Sequence, residues 1–146
     1  MDVFKPGDHG STFGGNPLAC AVAREALHVF QDENLIERSR QLGAELEREL
    51  RRLADRHPVI GDVRGGHGLF AVLELVADRA TREPLAPWPQ TPPPLAALLQ
   101  AALDEGVSFG ARGNLILVAP PLVIDERDLA DSLALLDRLL ARFFPA

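Results

Sequence analysis

The chain has 146 residues, 47% hydrophobic and 25% charged, with a net charge of −6. This fits one ordinary domain, or a small domain with part of a neighbour, and the acidic balance argues against a nucleic-acid partner. No apolar run reaches membrane-span length and the first residues lack a signal-peptide pattern, so a soluble, cytoplasmic protein is expected. The single cysteine, Cys20, can form no internal disulfide and has no partners at metal-ligand spacing, so no metal is expected. A small buried residue on a helix is its expected role. Lys5 is the only lysine against fourteen arginines, which matters because much covalent catalysis on amines and carbonyls uses a lysine.

The first fifteen residues read as an irregular loop rich in Gly, Ser, Thr and His. Asn16-Pro17 predicts a helix start, with Asn16 as cap and Pro17 in the first turn. Leu18, Val22, Ala26, Val29 and Phe30 follow as a helical stripe, broken at Gln31-Asp32-Glu33. Asn34 and Glu37 predict a capping box for a second helix, whose stripe of Leu35, Leu42, Leu46, Leu50 and Leu53 ends near His57-Pro58. Glu37, Glu45, Arg48 and Arg52 make a solvated face of that helix. Val59–Val63 predicts a strand and Gly65–Gly68 a turn. Leu69–Val76, apolar on both faces apart from Glu74, predicts a buried strand. Residues 77–94 read as a long, proline-rich surface loop. A helix over Leu95–Glu105 precedes strands at Val107–Phe109 and Leu115–Val118, joined by a turn at Gly110–Asn114. Ala119-Pro120-Pro121 stops the last strand, and a final helix starts at Asp125 with Leu129, Leu133, Leu136, Leu140 and Phe143 inward. The order predicts an α/β or α+β arrangement, a small sheet covered by helices on one side.

The segment His9–Pro17, HGSTFGGNP, carries the most chemistry. Two adjacent hydroxyls, Ser11 and Thr12, stand among glycines just before a helix N-terminus, and hydroxyls with free backbone N–H groups are what an anionic oxygen needs. The alternative is an ordinary glycine-rich connector.

PGDHGSTFGGNPLAC resembles the signature of class III, fold-type I aminotransferases, a group that includes the ornithine, acetylornithine and ω-amino-acid–pyruvate enzymes. VRGGHGLFAVLEL and LILVAPPLVI resemble two further motifs of the family, in the same order, so the resemblance covers nearly the whole chain. It implies pyridoxal 5'-phosphate as cofactor, with Thr12 on its phosphate and Ser11 a second candidate near phosphate or substrate. It implies a homodimer for the whole enzyme, and amino transfer from a donor to a 2-oxo acid. It also implies that residues 1–33 are the edge of the cofactor-binding large domain and 34–146 the C-terminal small domain. The family's covalent lysine lies upstream of this loop, and the context of Lys5 does not match it. No catalytic residue is therefore assigned, the chain alone is expected to be inactive, and a truncated start is expected.

Arg64, in Val63-Arg64-Gly65, and Arg112, in the turn between the late strands, are candidate substrate-carboxylate ligands; a structural clamp and a solvated turn charge are the competing readings. Leu117 stands where ornithine and acetylornithine aminotransferases tend to carry an arginine for the α-carboxylate, which points to an amine or ω-amino acid donor. The alternatives are an ornithine/acetylornithine-type enzyme and a non-catalytic α/β binding module, which should expose no large apolar face. A third is assembly with a separately encoded large domain. His67, His28 and His57 read as surface residues and His9 as structural within its loop. PWPQTPPP reads as a stiff loop.

Overall fold

A computed structural model describes residues 3, 5, 7, 8 and 10–145, so His9 lies outside the described residues. Contacts divide the chain into two compact units, Met1–Ile36 and Glu37–Ala146.

In the first unit, helix α1 runs Pro17–Asp32. Asn16 caps it as expected, its Oδ1 accepting the Ala19 N–H at 2.9 Å, with Pro17 in the first turn. None of its residues is buried. Leu18, Val22, Leu27, Val29 and Phe30 are all exposed, and so is Cys20, against the expectation of a buried thiol. Cys20 shares the exposure of the helix as a whole, no residue of which is buried.

Helix α2 spans Leu35–Arg56. The expected capping box does not form. Asn34 takes a left-handed φ of 49°, and Glu37 reaches forward to Arg40 and Gln41 and not back towards the cap.

The sheet has β1 (Ile60–Arg64), β2 (Ala71–Asp78), β3 (Glu83–Pro84), β4 (Gly110–Arg112) and β5 (Leu115–Val118). Its order is β1-β2-β5-β4, all antiparallel, with the two-residue β3 pairing against the end of β2. β2 alternates buried Ala71, Leu73 and Leu75 with half-buried Val72 and Glu74, and only Val76 is buried on that second face, so one face is covered and most of the other is not. β3 lies inside the segment expected to be loop throughout.

Helices α3 (Pro93–Asp104) and α4 (Glu126–Phe143) complete the fold. Leu46 and Leu50 of α2, Leu95 and Leu98 of α3, and Leu136 and Leu140 of α4 join Ile60, Leu73 and Ile116 in one core. Asp125 caps α4 through the Arg127 N–H at 2.7 Å. β4 begins three residues later than expected, because α3 ends by drawing Gly106 and Val107 back onto the carbonyls of Leu103 and Ala102. Arg112 then pairs directly with Leu115, leaving the two-residue connection Gly113-Asn114. His57 is a correction. It is 8% exposed, and its Nε2 lies 2.6 Å from Asp137 of α4. His67 and His28 are exposed as expected.

Candidate functional site

Loop 10–16 is held by short-range bonds. Ser11 Oγ accepts the Gly14 N–H at 2.9 Å, and a Cβ at Gly14 would stand 2.9 Å from that same hydroxyl, so a larger residue there would displace the Ser11 side chain. Asn16 donates its amide to Phe13 O at 2.6 Å while capping α1, which fixes the loop to the start of the helix. Thr12 is exposed and its hydroxyl engages none of the described residues. Gly10 and Gly15 have open space where a Cβ would stand. The first turn of α1 carries no acidic side chain, so the positive end of the helix dipole is not neutralised locally. A free hydroxyl, glycine backbone and an uncompensated helix start fit the phosphate end of a cofactor. The backbone N–H of Lys5 donates to Asp8 Oδ2 at 2.8 Å.

In the second unit the strand register places three of the residues singled out from sequence on one sheet face. Directly opposed residues share a face. One row is therefore Arg64, Val72, Leu117 and Gly110, and the next is Asp62, Glu74, Leu115 and Arg112. This is the face opposite the core. Arg64 and Arg112 flank Leu117 from the two sides.

The two arginines differ in what already holds them. Arg64 Nη1 donates to Glu74 at 2.6 Å and to Asp62 at 3.0 Å. The bond to Glu74, opposed by slight burial and reinforced by both carboxylate charges, raises the guanidinium above its ordinary pKa. Arg112 has no carboxylate partner among the described residues; its guanidinium lies over the Trp88 ring, 5.3 Å from the centroid. Arg112 is also the nearer, being diagonal to Leu117 across one strand pair, about 7–8 Å by sheet geometry.

Sequence reasoning missed three residues that shape this unit. Trp88 rests on Gly113, where a Cβ would meet the indole at 2.7 Å. Asn114, buried, makes paired bonds to the backbone of Ala86, accepting its N–H at 3.1 Å and donating to its carbonyl at 2.9 Å. Arg79 donates to the carbonyls of Ala54, His57 and Ile60 and ties the end of α2 to β1. The only local signal was a tryptophan among prolines, which does not say what the ring faces.

Among the described residues no helix is long and apolar enough to cross a membrane, and no group of side chains could hold a metal ion. The family profile "Aminotransferase class-III" matches residues 1–140. An ornithine aminotransferase of Bacillus cereus (strain Q1) is 46% identical over 129 residues, 88% of this chain and 28% of that protein. An ethanolamine-phosphate phospho-lyase homolog of Caenorhabditis elegans is 40% identical over 136 residues, 89% of this chain and 27% of that protein. A Bacillus anthracis aminotransferase structure superposes with a TM-score of 0.81 at 37% identity, over 92% of this chain and 30% of that one. An ω-transaminase of Pseudomonas jessenii, crystallised with PMP, gives 0.79 at 32% identity, over 93% of this chain and 29% of that one. The chain thus spans less than a third of the length of these relatives. With the motifs in order, the small helix-covered sheet and a profile match over nearly the whole chain, this protein belongs to the class III aminotransferase family.

Proposed function

We propose that the chain is the C-terminal part of a pyridoxal-phosphate aminotransferase that moves an amino group from an amine or ω-amino acid to a 2-oxo acid. The observation that carries this reading is the family match from residue 1 to residue 140, which takes in both the hydroxyl loop and the sheet face. When bound, the cofactor supplies the electron sink that makes amino transfer possible. The residues of this chain bind and orient. Thr12 donates its hydroxyl to a phosphate oxygen, and the start of α1 adds favourable dipole charge. Ser11, already accepting from Gly14, shapes the loop and is the weaker ligand.

On the sheet face Arg112 is the better carboxylate ligand, since Arg64 is occupied by Glu74 and Asp62. Leu117 leaves its own position apolar, and an unpaired carboxylate buried against it would be costly. That favours a donor whose carboxylate, if any, reaches Arg112. Residues 1–33 are the edge of a cofactor-binding large domain and 34–146 the small domain, in a cytoplasmic homodimer whose covalent lysine is outside this sequence. The exposed apolar stripe of α1 supports this over a free-standing binding module, which would not leave such a face bare.

The phosphate assignment is tested in the whole enzyme carrying this segment. Thr12→Ala should weaken cofactor affinity about ten- to hundred-fold by equilibrium dialysis, the effect of losing a hydrogen bond to a charged group, about 1.5–3 kcal/mol. Ser11→Ala should have a smaller effect. Equal affinities in wild type and Thr12→Ala would refute the role.

A further inference from the structure

We propose that Trp88 is a positioning residue for Arg112, so that the loop between β3 and α3 sets how strongly the sheet face holds a substrate carboxylate. This rests on the reading of Arg112 as a carboxylate ligand and adds what makes it one. Three consecutive residues at the end of β4 and its turn each engage that loop. Arg112 lays its guanidinium over the Trp88 ring at 5.3 Å. Gly113 seats the same indole against backbone, at a φ of 58° that disfavours a side chain, where a Cβ would lie 2.7–2.8 Å from two ring carbons. Asn114 clamps Ala86, two residues before Trp88, its side-chain amide oxygen accepting the Ala86 N–H and its nitrogen donating to the Ala86 carbonyl. The loop therefore cannot shift without moving the ring under Arg112.

The chemistry favours a ligand-ready guanidinium. A guanidinium held over an aromatic face keeps N–H groups to spare, and those are what grip a carboxylate in two-pronged fashion. A flexible arginine held on an aromatic plane loses less freedom when it binds. Arg64 is the internal contrast, since its Nη1 is already taken by Asp62 and Glu74. Leu117 and Leu115, on the same sheet face as Arg112, offer an apolar surface beside the cation. The ligand class is a monocarboxylate with a short apolar chain.

Side-chain NMR on this chain gives the test, with butyrate as probe and sodium chloride at matched ionic strength as control. The Arg112 Nε–H signal is assigned by its loss in Arg112→Gln. In wild type, butyrate should shift that signal saturably and chloride should not. Trp88→Leu should leave the backbone spectrum intact away from residues 85–91 and 112–114 and weaken butyrate binding about two- to five-fold, the range expected for an exposed cation–π contact. Trp88→Phe should recover part of the loss. Equal butyrate affinity in wild type and Trp88→Leu would overturn the positioning role while leaving Arg112 a carboxylate ligand. No butyrate response at Arg112 in wild type would overturn both.

Discussion

Asp78 closes the end of β2 by accepting backbone N–H groups from Thr81 at 2.9 Å and Ala80 at 2.7 Å. These bonds, Thr81 first, hold its carboxyl below the ordinary value of 3.8. A carboxyl depressed in the folded state contributes stability above its unfolded pKa and loses it as pH falls through the lower folded value. The difference in urea midpoint between wild type and Asp78→Ala should therefore be full above about pH 5 and shrink towards pH 2–3. A difference that stays constant across that range would refute the account. His57 is a second case. It reads as a surface histidine in sequence, because a residue between a helix and a proline is usually wet. Its partner is eighty positions away on α4, Asp137, which also meets Arg56 at 3.0 Å. His57→Ala leaves a cavity and releases one carboxylate oxygen. It should lower stability by about 1–3 kcal/mol by urea unfolding, within the usual range for truncating a buried side chain, since Asp137 stays partly exposed and keeps Arg56. The Thr12 loop and Arg112 were legible as residue types in a local pattern; the Asp137 pairing and the Trp88 ring were not, since each depends on a fold-level contact.

At the level of elements, the helix stripes, the cap at Asn16 and the helix start at Asp125 are local and were readable, whereas strand edges were displaced. β4 moved because the exit of α3 uses Val107, and β2 proved half-covered because nothing in a run of Val and Leu reports how many layers will cover it. The docking of the glycine turn is another long-range feature. Ser39, Gly43 and Glu47 recur every four residues and so share one face of α2. Ser39 Oγ accepts the Leu69 N–H at 3.2 Å, the backbone of Gly68 sits against Gly43, and Gly66 sits against the Glu47 carboxylate. Gly43→Ala improves helix propensity by up to about 1 kcal/mol. The new methyl would run into the Gly68 carbonyl, in a turn residue held at φ 89°, and overpacking costs about 1–3 kcal/mol. The clash should win because backbone, not a movable side chain, is in the way. A lowered melting temperature is expected, and an unchanged or raised one would contradict this packing.

At the scale of the whole molecule, the chain spans less than a third of the length of its relatives, and on the proposed reading the hydroxyl loop with α1 and the sheet unit each supply part of the active site. On that reading, donor choice follows from Leu117. The enzyme containing this segment should show higher kcat/KM for an ω-amino acid than for ornithine, with pyruvate as acceptor, and efficient turnover of ornithine would mean Arg112 or Arg64 supplies the missing guanidinium after all. On the proposed reading this chain furnishes binding groups to a catalytic centre whose covalent lysine it does not hold. Incubation of the chain with pyridoxal phosphate, borohydride reduction and peptide mapping addresses that claim, run beside an assay of amine–pyruvate pairs. No specific cofactor label on Lys5 and no amino transfer are expected. A stoichiometric label on Lys5 together with turnover would contradict the proposed reading.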